Sequence, residues 1–205
     1  MVDRVVIALA FSLISLAFLV AAYASPYWIE SFQRADSVFI KAGIWEFCFN
    51  DFTFWKDFNG NRYKGCWYTF KKAMKPIWYW LNPHWLILVQ VLSSLAILFY
   101  GITIIFIVLA VCHVFSENRM EMIIFGSSIV EFVIVIMQII SLTLYGIKRG
   151  GRGWLPRPDQ NFLSWAYGLY FVSAIFTLAG AITLFKAGMK IRKKLKEDFP
   201  NRRHV

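Results

Sequence analysis

Three groups of residues in this chain could do chemistry: a pair of cysteines, one acidic residue inside an apolar run, and a cluster of cations among glycines. Cys48 and Cys66 are the only cysteines between residues 28 and 84. A pair placed in a non-cytosolic segment is most simply a disulfide formed in the secretory pathway. Cys112 is left over, near the end of an apolar run, where it is either a palmitoylation site or a small buried apolar residue. Glu131 interrupts another apolar run, and an acidic side chain in lipid is costly enough to count as functional by default. Ser127, Ser128 and Gln138 share its helical face, so a polar seam packed against another helix also accounts for it. A proton or ion pathway would need charged partners in other spans, and Gln90 and His113 are the nearest equivalents. His84, His113 and His204 lie in different segments, and no Ser-His-Asp or metal-ligand spacing appears, so the reading is of no enzyme and no cofactor. Lys148-Arg149-Gly150-Gly151-Arg152-Gly153 lacks the Walker spacing and a preceding strand. It reads as a flexible cationic loop that contacts a partner or lipid headgroups, without a role in binding nucleic acid.

The elements that must position these residues follow from composition. Of 205 residues, 59% are hydrophobic and 17% charged, more apolar surface than a soluble domain of this size can bury. Four windows, residues 5–27, 85–115, 122–147 and 162–185, match the roughly 20 residues a helix needs to cross a bilayer. The second and third exceed that length, so they tilt or project beyond the lipid. Ala22-Tyr23-Ala24 resembles a signal cleavage site, but the first run is longer than a signal core and Asp3 offsets Arg4. Four spans put both termini on one side. Lys186, Lys190, Arg192, Lys193, Lys194 and Lys196 crowd the last span, which favours cytosolic termini and a tail, 187–205, that draws anionic lipid or anchors topology.

The loop at 28–84 carries 17 aromatic residues in 57, unlike a disordered linker. Residues 38–49 read as one or two strands and 63–70 as another, with Asn59-Gly60-Asn61 as the turn before the latter. A Cys48–Cys66 bond would join neighbouring strands around that turn and staple a sheet whose own core is slight.

Here the residues carry a resemblance. Pro26-x-Trp28 at the end of the first span, then Gly43-Ile44-Trp45-x-x-Cys48, then Cys66, resemble the signature of the claudin, peripheral-myelin-protein and epithelial-membrane-protein superfamily. Gly168-Leu169-Tyr170 and Ala179-Gly180-Ala181 are similar to the claudin pattern of the fourth helix. Seventeen residues separate the cysteines, about twice the vertebrate claudin spacing, and Ile44 replaces the motif leucine. The wide spacing resembles that of the divergent invertebrate claudin-like proteins of septate junctions. Tetraspanins place their cysteine-rich loop second, and connexins and innexins need cysteines in both outer loops, so neither fits.

The resemblance implies an all-α membrane four-helix bundle, residues 1–186, with a small extracellular antiparallel sheet seated by the signature tryptophans. Loops 28–84 and 148–161 would be extracellular. It implies a junctional protein of the plasma membrane that seals the paracellular route. Its partners would be itself or related claudin-like proteins in cis and trans, membrane lipid and a cytosolic scaffold. Val205 would enter a PDZ groove as claudin tails do, although Arg203 stands where Ser or Thr is usual. The other function the resemblance allows is an auxiliary subunit of a channel or receptor. The topology has a direct check: N-terminal sequencing of the mature protein should not begin at Ser25, and a C-terminal tag should be inaccessible on intact cells.

Overall fold

The computed structural model describes residues 2–32, 37–57 and 60–201. The first apolar run forms α1 (Val2–Ala24), which ends because Pro26 bars its neighbour from helical backbone. The chain then extends into β1 (Ile29–Ser31), β2 (Phe39–Ala42), β3 (Glu46–Thr53) and β4 (Arg62–Tyr68), followed by a 3-10 turn at Lys72–Ile77 and a single helical turn, α2 (Trp78–Leu81). Helix α3 (His84–Val111) and helix α4 (Glu117–Lys148) follow, then β5 (Asn161–Leu163) and α5 (Trp165–Asn201). Four helical segments are long and apolar enough to cross a membrane, Asp3–Ala24, His84–Val111, Arg119–Lys148 and Trp165–Glu197.

The helix ends differ from the apolar windows for local reasons. Helix α3 stops at Val111 although apolar residues continue to Phe115, because His113 takes φ 56°. Its amide and that of Val114 then bond back to Ala110 and Leu109 at 3.2 Å each. That pattern closes a helix with a left-handed residue, here without the usual glycine. Helix α4 begins before the window at 122–147, since Glu117 to Glu121 are helix-compatible residues beyond the apolar stretch. The fourth window, 162–185, is displaced at both ends. Asn161–Leu163 are taken by the sheet, and α5 runs past Phe185 to Asn201. Its basic stretch stays helical because Lys, Arg, Leu and Glu favour helix and because Leu184, Ala187 and Ile191 keep a buried stripe at helical spacing.

The sheet has the order β4-β3-β2-β1-β5, antiparallel throughout. Its fifth strand comes from the segment between α4 and α5. Between Phe49 and Phe52 the β3–β4 ladder slips by one residue, with Asp51 at φ 54° and Gly65 at φ 87°. This is a bulge, in which two residues oppose one.

The described residues of Met1–Ala17, Leu95–Met137 and Val172–Val205 form one compact unit, and those of Phe18–Ser94 and Gln138–Phe171 a second. The core of the first is small and aliphatic, with Val5, Ala8, Ile107, Ala110, Ile124 and Leu184 all buried. It also holds a polar seam. Ser12 donates to Glu131, Ser15 bonds to Ser173 and Thr177 at 3.0 and 2.8 Å, and Ser128 donates to the Ala181 carbonyl at 2.9 Å. Gly180 leaves the space that Glu131 occupies, since a Cβ there would lie 2.7 Å from Oε2. Gly180→Ala should therefore destabilise the protein by about 1–3 kcal/mol through overpacking. Comparing thermal unfolding in detergent with that of Gly101→Ala, where a Cβ meets nothing within 4 Å, isolates the effect.

Candidate functional site: the stapled sheet and its seat

The second unit is organised around Trp28. Its side chain is fully buried among Tyr145, Tyr167 and Tyr170, with ring centroids at 4.8, 6.0 and 5.0 Å. The indole N–H donates to the Ala22 carbonyl at 2.7 Å, one of the acceptors that the end of α1 leaves without an intrahelical partner. The same residue starts the sheet. Its backbone N–H reaches the Ala42 carbonyl at 3.0 Å, and its own carbonyl accepts from Ser164 at 2.9 Å. Gly43 fits beneath this corner because it has no side chain: a Cβ would meet the Ser25 carbonyl oxygen at 2.3 Å.

Cys48 and Cys66 are bonded, and they are direct partners in the β3–β4 ladder. The staple therefore locks a strand pair already in register. Further out on this hairpin, Tyr63 donates to the buried Asp57 carboxylate at 2.9 Å. Burial and the facing carboxylate push its phenol up to about 12, so it remains a donor at neutral pH.

Other residues proposed from the sequence are spread more widely. Trp45 is half-buried, packed edge-on to Tyr23 at 5.5 Å and tilted against Phe70 at 5.5 Å. Pro26 and Ile44 lie at the same corner, Ile44 fully buried. Glu131 is fully buried in the first unit, and Gln138, two turns along α4, is also buried. Cys112 is exposed and unbonded in the turn after α3, so it is not the small buried residue that one reading of its position anticipated. Val205 lies outside the described residues.

The segment after α4 departs from the flexible cationic loop expected there. Arg149 donates to the Asn161 carbonyl at 3.1 Å. Trp154 is buried, with its N–H on the Leu81 carbonyl at 3.1 Å, and Trp80 donates to Gly153 at 3.0 Å. Aromatic anchoring outweighs glycine freedom, and the two loops fold as one body. Gln90, which the sequence marked only as a polar residue within a span, instead ties the span to the sheet: its amide donates to the Ile44 carbonyl at 2.6 Å and to Asn82 at 3.0 Å. The only signal was an amide near the start of an otherwise apolar span.

Four membrane-crossing helices and a disulfide-stapled antiparallel sheet seated on a tryptophan define a multi-pass membrane protein with a folded extramembrane platform. The family model described as PMP-22/EMP/MP20/Claudin tight junction matches residues 13–186, and the chain belongs to that family. No curated protein matches it.

The two signature tryptophans should differ in weight. Trp28→Ala removes a fully buried indole and should cost about 3–5 kcal/mol. Trp45→Ala, at a half-buried position, should cost clearly less. Thermal unfolding of the two purified variants in detergent checks the order, which equal losses would contradict.

Proposed function

We propose that this protein is a structural component of cell–cell junctions that contributes to the paracellular barrier, with septate junctions the preferred setting. The observation that carries the reading is the single sheet built from both loops, pinned to the helix ends at Trp28 and stapled at Cys48–Cys66. Such a platform is rigid enough to hold contacts across an intercellular gap. Membership in the claudin-containing family supports the assignment. Both termini lie in the cytosol and the sheet lies outside, supported by the cluster of basic residues from Lys186 to Lys196 that follows the last apolar run. Residues 1–186 are the spanning domain and 187–205 the tail.

Partners are further copies of the chain or related claudin-like proteins, within one membrane and across the gap. The exposure of Cys112 supports its palmitoylation, and Val205 is the candidate scaffold ligand. The loop at 28–84 has eight basic and five acidic residues, so any pore it lined would disfavour small cations. Depleting the protein from its native epithelium should raise tracer leakage, and wild-type protein should restore the seal. Unchanged permeability after complete loss, with no related protein compensating, would reject the barrier role and favour an auxiliary subunit that co-purifies with one channel or receptor.

A further inference from the structure

The bulge in β3 creates a surface that the barrier reading does not use. In a regular strand Phe49 and Phe52 would point to opposite faces. The extra residue brings them to one, and their rings stack at 5.0 Å and 20°. Trp80, at the end of α2, lies nearly parallel to Phe52 and Phe54 at 5.3 and 4.8 Å. Phe52, Phe54 and Trp80 line an open cleft of about 540 Å³ that the stretch 152–156 completes. Trp55, 83% exposed, stands in the lining. The Lys56 ammonium sits 4.6 Å from the Trp55 ring centroid, and exposed Arg152 joins the same lining. Two acids of the same hairpin are engaged elsewhere: Asp57 accepts from Tyr63 at 2.9 Å, and Asp51 faces Arg62 at 3.5 Å.

We infer that this cleft binds an acidic polysaccharide, with a pyranose ring lying on the exposed Trp55 and a sulfate or carboxylate held by Lys56 and Arg152. A pyranose offers a flat C–H face that packs on an aromatic ring. Its anionic substituents match a guanidinium and an ammonium, the fork of arginine suiting a planar or branched oxyanion. Aromatic walls with a few polar groups for orientation are what small-ligand sites use. The charged side chains of the cleft, Lys56 and Arg152, are both cationic, so the same cleft of a second copy would bring like charge to like charge there.

The cleft does not depend on the barrier role, and its test needs no junction. The full chain in nanodiscs of neutral phospholipid is titrated calorimetrically with a heparin-derived decasaccharide and with a neutral oligosaccharide of equal length. The charged sugar should bind saturably and the neutral one far more weakly. Trp55→Ala and Arg152→Ala should each weaken binding by about tenfold, equivalent to roughly 1.4 kcal/mol, while Trp55→Phe retains most of it. Both side chains are exposed, so thermal unfolding should not change. A double Lys72→Ala and Lys75→Ala variant, altering exposed charges outside the cleft, should bind as wild type. The proposal is overturned by absence of saturable binding, by an equal loss in the Lys72/Lys75 variant, which would mean diffuse charge attraction, or by displacement of the sugar at equal concentration by polyglutamate.

Discussion

The hydrogen bond from the Trp28 indole to the Ala22 carbonyl is the constraint on which the second unit rests. Helix α1 must end before Pro26, and its last carbonyls must find donors away from water. The indole meets that need at Ala22, whose carbonyl also takes the Ser25 amide at 3.3 Å, and it supplies a large apolar body for the tyrosines of α4 and α5. Because the backbone of the same residue bonds toward both β2 and the start of α5, the position of the sheet follows from the end of the helix. Gly43 is required for the same reason, since the close approach of Ser25 leaves no room for a side chain.

The disulfide acts on a smaller scale. It joins two residues already opposed in a ladder, so it holds register in a short hairpin and does not define the topology. Register matters there because the bulge just beyond it decides which face Phe52 and Phe54 present. The single extra residue turns an alternating pattern into an aromatic wall.

The four spans, the cysteine pair and the tryptophan signature were legible because each rests on strong local chemistry: long apolar runs, thiols placed together, and an indole beside a proline. Strands β2 to β4 were legible in outline from their aromatic and β-branched residues. What was not legible depended on partners distant in sequence. Asn161–Leu163 are a strand only because β1 offers an edge, and by composition they pass for the start of a helix. The stretch 148–153 read as a flexible loop because what anchors it, Trp154 on the Leu81 carbonyl, depends on a partner in the other loop. The length of α5 was missed for a different reason. Hydropathy marks where lipid ends, whereas helix continues as long as propensity and a buried stripe persist.

The sheet's fifth strand has a consequence for biosynthesis. Strands β1 to β4 emerge from the ribosome early, yet the free edge of β1 finds β5 only after α3 and α4 have been made and inserted. Until then the nascent sheet carries an open edge and its tryptophan corner lacks the tyrosines of α4 and α5. The nascent chain is therefore a half-built platform that already has its cysteines. Oxidation can run ahead of assembly, and completion of the sheet is the late step that reports whether all four helices have arrived.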